Sequence, residues 1–362
     1  MKVGVVGLGR IAQMVHLTHL KELPDVEISA VCDASEDLVK KVSRRYVIRE
    51  AFTDYTKFLE EVDMDAIINC TNTAHHKRTV LEALRKGKHV FVEKPLCYSP
   101  SDAEEMIKAS AEKGLVFMVG YMKRYDPGYE LARSKIQEME NVFYFRVHNF
   151  FGGYGQVRDE AYFLEAGAIP KELEQETIRE TERQLRHLNP KVRGVFRALC
   201  EFASHDANAM RGIFRDPKCV LRTEICTSKK DSSWSFEGPF LISLLDYGGM
   251  KGTFEFAYVK ERKYWDEVIE VFSPKQTLSL VFANPALKNM PAQVKVIEGH
   301  NRVVETTVVA SHQGAFKREL IHFLDCIERK KEPETSGVDG KRTLDILTAI
   351  VKSYTSGKLA KL

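Results

Sequence analysis

Lys94 stands in Glu93-Lys94-Pro95, just after a short apolar run. Val3-Gly4-Val5-Val6-Gly7-Leu8-Gly9-Arg10-Ile11-Ala12 opens the chain almost at once. The second stretch reads as a strand, a glycine turn and a helix start. Gly7 permits the tight turn, Gly9 lets the backbone approach a pyrophosphate, and Ala12 allows close helix–strand packing. The helix start offers free N–H groups and the positive end of its dipole to phosphate. A dinucleotide held there would place its nicotinamide near Lys94. The two signals together argue for an oxidoreductase of the NAD type.

Oxidising an alcohol takes a hydride acceptor, a base for the hydroxyl proton, and charge to stabilise the developing alkoxide. The Lys94 ammonium would hydrogen-bond the cofactor ribose and the substrate hydroxyl. His205 is the candidate acid/base, since imidazole exchanges protons near neutral pH. If residues 196–214 are helical, Glu201 lies one turn before His205 and Asn208 nearly one turn after it. Glu201 would then orient the imidazole. The plainer readings are a surface lysine, a capped or core histidine, and a packing glutamate. Asp33, at the end of the second apolar run, is placed to bind the adenosine ribose hydroxyls. It would repel a 2′-phosphate, and Ala34-Ser35 bring no cation, so NAD is favoured over NADP. Its alternative role is the N-cap of the helix before Leu38.

These residues need strands and helices to hold them. Residues 3–6, 28–32, 66–70, 89–92 and 116–119 are short β-branched runs. Helical patterns at 35–45, 55–61, 76–86 and 101–113 alternate with them, which predicts a parallel sheet with helices on both faces. After a helix over 129–140 the character changes. Strand patterns at 142–151, 219–227, 240–246, 251–258, 266–272, 276–282, 293–298 and 302–309 predict an open, mostly antiparallel sheet, with Asp246-Tyr247-Gly248-Gly249 as a hairpin turn. Helices over 315–329 and 340–356 close the chain. The expected organisation is a nucleotide-binding domain over 1–122 and an α+β domain over 123–362. A highly charged helical excursion at about 155–200 interrupts the latter. Within it, 170–187 carries Leu173, Thr177, Thr181 and Leu185 on one stripe, which Leu188 continues. It reads as a solvated helix, or as a lid or dimer arm.

The bulk composition agrees. The chain has 362 residues, is 44% hydrophobic and 29% charged, and has a net charge of +3. Two soluble globular domains are expected, with no pull toward nucleic acid, no membrane span, no metal site and a cytoplasmic location. The 7 cysteines show no C-x-x-C spacing and read as reduced thiols.

Glu93-Lys94-Pro95, the glycine turn, Thr71-Asn72-Thr73-Ala74-His75-His76 and Ala83-Leu84-Arg85-Lys86-Gly87-Lys88-His89-Val90 together resemble the glucose–fructose oxidoreductase and inositol dehydrogenase (Gfo/Idh/MocA) family. Gly120-Tyr121-Met122-Lys123-Arg124-Tyr125-Asp126-Pro127, Ser204-His205-Asp206-Ala207-Asn208 and Ser336-Gly337-Val338-Asp339-Gly340 extend the resemblance over nearly the whole chain. It implies an N-terminal Rossmann domain and a C-terminal α/β domain. One face of the latter's sheet would meet substrate, and the other often meets a partner subunit, giving a homodimer or homotetramer. It also implies that Lys94 is the essential lysine and that His76 approaches the nicotinamide. Thr71, Asn72 and Thr73 would contact the cofactor together with Gly7, Gly9, Arg10, Ile11, Ala12, Asp33, Glu93 and Lys94. Lys94, Arg124, Tyr125, His205 and Asn208 would reach a polar, sugar-like substrate. His75 is expected to be exposed. Tyr264-Trp265-Asp266 offers either a sugar-stacking aromatic or a core one. Three departures stand out: Glu201 replaces an aspartate, Ala203 replaces a glycine, and Asn72 replaces a common proline, leaving that loop's shape open. The implied activity is NAD-dependent oxidation of a secondary alcohol on a sugar, polyol or sugar derivative. The alternatives are a glycosidase that uses NAD catalytically and a dinucleotide-sensing regulator without catalysis.

Overall fold

The computed structural model describes residues 1–152, 163–167, 169–227, 239–259, 262, 264–285, 287–299 and 302–362. They form one sheet of six strands and one of nine. The chain divides into two compact units. One comprises Met1–Tyr121, Ala161–Leu188 and Phe316–Lys341, the other Met122–Glu160, Asn189–Ala315 and Arg342–Leu362. The chain therefore crosses between units several times, where a single cut near residue 122 was expected. Residues 161–188, expected as an excursion of the second domain, belong with the first unit.

The first unit is built on β1 (Lys2–Val6), β2 (Glu27–Cys32), β3 (Glu50–Phe52), β4 (Ala66–Asn69), β5 (His89–Glu93) and β6 (Phe117–Gly120), all parallel, in the order β3-β2-β1-β4-β5-β6. The short apolar runs form strands because both faces are covered: Val3, Val5, Ile67, Ile68, Val90 and Phe91 are fully buried. β3 escapes the sequence pattern because it is a three-residue edge strand without alternation. A π-helical turn, Ala12–His16, leads into α1 (Leu17–Lys21); α2 (Glu36–Tyr46), α3 (Tyr55–Glu61), α4 (His76–Arg85) and α5 (Pro100–Lys113) follow. The strand order reverses between β1 and β4, which opens a crevice at the C-terminal strand ends.

In the second unit, α6 (Pro127–Glu138) precedes β7 (Tyr144–Phe151). The remaining strands are β8 (Cys219–Thr227), β9 (Pro239–Asp246), β10 (Lys251–Tyr258), β11 (Glu267–Phe272), β12 (Gln276–Val281), β13 (Gln293–Gly299), β14 (Val303–Val309) and β15 (Ala360–Lys361). The sheet order is β14-β13-β12-β11-β7-β10-β9-β8-β15, antiparallel except where β7 meets β10. The β9–β10 turn closes with Tyr247 N–H donating to Met250 O at 3.0 Å, and Gly248 takes a φ of 86°. Phe145, Val147 and Asn149 alternate inward along β7, and Phe145 stacks on Phe214 at 4.1 Å.

Other helices are α7 (Lys171–Gln184), α8 (Pro190–Ala198), α9 (Ser204–Phe214), α10 (Ala315–Glu328) and α11 (Gly337–Ser356). A second π-helical turn, Leu199–Ala203, joins α8 to α9. Among the described residues no helix is long and apolar enough to cross a membrane, and no group of three or more His, Cys, Asp or Glu could hold a metal ion. The cysteines are free thiols; Cys226 is exposed and five of the others are buried.

Candidate functional site

The crevice of the first unit is lined by the ends of β1, β2, β4 and β5. Gly7 has a φ of 83°, and a Cβ there would lie 2.5 Å from the Cys70 carbonyl carbon. Backbone conformation and close approach both demand glycine at this position. Gly9 is the opposite case: it is exposed, and a Cβ there would meet nothing within 4 Å. Open space over the start of a helix suits a pyrophosphate. Ala12 is fully buried, as close helix packing requires, while Arg10 and Ile11 are half-buried. The Asp33 carboxylate accepts from Leu8 N–H at 2.7 Å and Ser35 N–H at 2.9 Å, tying the glycine turn to the end of β2. The N-cap of α2 is Ser35, which accepts from Leu38 N–H, so the capping alternative for Asp33 does not hold.

Thr71 and Asn72 lie at the rim, while Thr73 is buried. Thr71 donates to Asn69 Oδ1 from its backbone N–H at 3.1 Å and from its hydroxyl at 2.8 Å. Asn72 has φ −62° and ψ 142°, angles a proline adopts without strain, and its side chain accepts from Ala74 N–H. The loop thus keeps the shape proline would impose. His76 does not face out toward a cofactor. Its ring is 1% exposed, with Nδ1 3.0 Å from Pro95 O and Nε2 3.0 Å from Thr71 O. It braces the 71–76 loop against the turn that follows Lys94.

The Lys94–Pro95 peptide is cis, and Lys94 is half-buried. Glu93, expected among the cofactor contacts, instead turns inward. Its Oε1 is 2.7 Å from His16 Nε2 and its Oε2 accepts from Lys94 N–H at 3.1 Å. Burial raises the Glu93 carboxyl, but the His16 hydrogen bond and charge and the nearby Lys94 outweigh it and bring it below the usual carboxylate range. Glu93 therefore positions the turn that carries Lys94. Nothing in the sequence spacing marked His16: the π-helical turn that ends on it decides where its ring falls. That turn frees the Gln13 carbonyl, which accepts from Thr18 Oγ1 at 2.9 Å and Tyr46 OH at 2.7 Å.

The charged segment straps this crevice. Gln13 pairs both ways with Leu164: Nε2 donates to its carbonyl at 2.9 Å, and Leu164 N–H donates to Oε1 at 2.8 Å. The Arg10 guanidinium lies 5.2 Å from the centre of the Phe163 ring. On α7, Gln184 donates to Ala74 O at 3.1 Å and accepts from Tyr98 N–H at 3.0 Å. Thr177 Oγ1 meets His75 Nε2 at 2.7 Å, so His75 is buried where exposure was expected. Asp102, itself buried, takes both Lys77, at 2.8 Å, and Arg183. The inner side of α7 is hydrogen-bonded rather than apolar, which is why hydrophobic patterning did not reveal it.

The second unit holds the other expected residues. His205 opens α9 and is half-buried, and Glu201 lies on the π-helical turn just before it. Asn208 is fully buried, donating to Thr343 Oγ1 at 3.0 Å and accepting from Arg124 at 3.5 Å. Arg124 and Tyr125 are also buried, at 7% and 5% exposure. A Cβ at Gly212 would fall 2.1 Å from Tyr129 OH and 2.3 Å from Arg124 Nε, so glycine makes the room for this cluster. These contacts place Arg124 and Asn208 in packing around α9.

Sequence reasoning missed a second buried cluster. Lys123 pairs with Asp206 at 2.9 Å and with Glu267; Asn149 donates to Asp206 Oδ2 at 2.5 Å. Trp265 donates to Glu267 Oε2 at 2.7 Å, which makes it a partner in this cluster, whereas Tyr264 is exposed. Lys123 was visible only as the neighbour of Arg124.

Residues 1–121 match the model of an oxidoreductase family with an NAD-binding Rossmann fold. A 4-carboxy-2-hydroxymuconate-6-semialdehyde dehydrogenase of Sphingobium sp. is 34% identical over 157 residues, 41% of this chain; the match spans half of that relative's own length. The scyllo-inositol 2-dehydrogenase (NAD(+)) of Bacillus subtilis is 23% identical over 98% of this chain and 94% of its own. Among solved structures, the aldose-aldose oxidoreductase of Caulobacter crescentus, complexed with glycerol, superposes with a TM-score of 0.76. It is 19% identical and covers 100% of this chain and 99% of its own, a likeness of fold.

Proposed function

We propose that this chain, which belongs to the Gfo/Idh/MocA oxidoreductase family through its NAD-binding residues 1–121, oxidises a secondary alcohol of a sugar, polyol or sugar derivative. NAD, when bound, supplies the hydride acceptor. Gly7, Gly9 and the start of the following helix hold its pyrophosphate, and Asp33 takes the adenosine ribose hydroxyls. That carboxylate favours NAD over NADP, because a 2′-phosphate would be repelled. Lys94 hydrogen-bonds the substrate hydroxyl and stabilises alkoxide character. His205 accepts the hydroxyl proton, with Glu201 orienting it.

The observation that carries the reading is the fixing of Lys94. Glu93 and His16 hold its backbone at the end of β5, and His76 holds the turn after it. The other side of the second sheet supports a further proposal, a homodimer or homotetramer. Ile242 and Leu244, alternating with the buried residues of β9, are 37% and 39% exposed.

The test is the rise in reduced-nicotinamide absorbance with NAD, then NADP, against polyols, monosaccharides, sugar acids and glycosides. Growth with one class and NAD is expected. Glycoside cleavage without net NADH, or NAD binding without turnover of any substrate, would overturn the dehydrogenase reading.

A further inference from the structure

Behind Lys94 the polar groups do not end with Glu93 and His16. On α10, Glu319 is 1% exposed, and neither of its oxygens has a hydrogen-bond partner among the described residues. One turn on, Phe323 stands edge-on to Phe91 at 5.7 Å, and Phe91 stands edge-on to His16 at 5.2 Å. Glu319 and Phe323 share a face of α10, as Phe91 and Glu93 share a face of β5. Helix α10 thus brings Glu319 over the end of the sheet where His16 and Glu93 pair. Burial, and then the Glu93 charge, push the Glu319 carboxyl well above the usual range.

His16 shows the matching deficit. Its Nε2 is engaged with Glu93 Oε1, and its Nδ1 is buried without a partner among the described residues. Glu93 is the acceptor, so Nε2 carries a hydrogen, and Nδ1 is the ring atom left to be satisfied. A buried carboxyl and a buried ring nitrogen, each without a partner among the described residues, can satisfy one another, and leaving both unmet is costly. No direct bond joins them, but one buried water can bridge such a pair.

We propose that Glu319 is a positioning residue for Lys94: through one buried water it hydrogen-bonds His16 Nδ1. The chain Glu319–water–His16–Glu93 then ends on the Lys94 N–H and holds the turn that carries the lysine. Glu319 touches neither substrate nor cofactor in this scheme. Only its effect on turnover rests on the role given to Lys94 above.

Infrared difference spectroscopy on the full chain at neutral pH tests it without substrate. Wild type minus Glu319→Gln is expected to show the carbonyl stretch of a protonated carboxylic acid. His16→Gln, whose amide reaches the Nε2 position facing Glu93 but removes Nδ1, is expected to shift that band. No band overturns the neutral acid, and a band unmoved by His16→Gln overturns the chain. Both hold whether or not Lys94 acts on an alcohol. In turnover, Glu319→Leu is expected to lose roughly tenfold in kcat at unchanged NAD affinity, with Glu319→Gln near wild type. Equal kcat in wild type and Glu319→Leu overturns the positioning role, while Lys94→Ala judges Lys94 separately.

Discussion

Each unit of this protein carries a lysine among carboxylates, and the two are held differently. Lys94 is half-buried at a strand end, and its own neighbour Glu93 is turned away onto His16. Lys123 is 5% exposed and paired with both Asp206 and Glu267. The carboxylate beside Lys94 is engaged by a histidine and by the turn's own backbone. A lysine shared between two buried carboxylates, such as Lys123, spends its charge on structure, since removing a partner would strand a charge in the interior.

The largest test of that contrast is Lys94→Ala. It is expected to lower kcat by about 10²–10⁴-fold while leaving NAD affinity within a few-fold, read by steady-state turnover and NAD titration. Normal turnover would remove Lys94 from the chemistry. Lys123→Met should do the reverse, costing about 3–5 kcal/mol in urea unfolding because Asp206 and Glu267 remain buried. A loss of turnover at unchanged stability would move Lys123 into the site.

Asp33→Ala is expected to weaken NAD by roughly 10–100-fold, the worth of a charge-assisted hydrogen bond, with little change in kcat at saturating NAD. Gln184→Ala leaves Tyr98 N–H and Ala74 O without their partner and should cost about 1–3 kcal/mol in unfolding of the first unit.

The smallest effect separates the units by sign. Burial, with Arg78 nearby, lowers His75, and burial lowers His89, whose Nδ1 accepts from Val116 N–H. Both then bind fewer protons folded than unfolded. Stability in the first unit should therefore fall as pH drops below the ordinary histidine value of 6.5. His148 is the opposite: burial disfavours its charge, but hydrogen bonds to Glu255 and Asp266 outweigh it and raise it. Its contribution is complete below 6.5 and is lost as pH rises through the raised value. Hydrogen exchange across this pH range, followed separately for the two sheets, should show slopes of opposite sign. Equal slopes would refute the assignment.

Much of this was legible because it is local. The glycine turn, the β-branched runs and Glu93-Lys94-Pro95 announce strand ends and what they carry, since a βα junction lies within a few consecutive residues. Gly7 is dictated by its own backbone angle, and Asn72 takes the shape proline would have supplied. The inward turn of Glu93, the bracing role of His76 and the burial of His75 depend on partners 77, 19 and 102 residues away. No periodicity encodes such pairings. Helix α7 misled for a related reason: its buried side is held by hydrogen bonds, and charge patterning reports only that a helix is polar.

The sequence by itself determined the two sheets and the glycine turn of the NAD-binding Rossmann fold. Those follow from side-chain volume, branching and backbone freedom, which act over a few residues. Tertiary structure alone decided which charged groups are paired or neutralised inside and with which partners. Desolvation and pairing depend on what distant segments bring alongside: Glu319 behind Glu93, Gln184 against the loop before α4, and Asp206 and Glu267 on either side of Lys123.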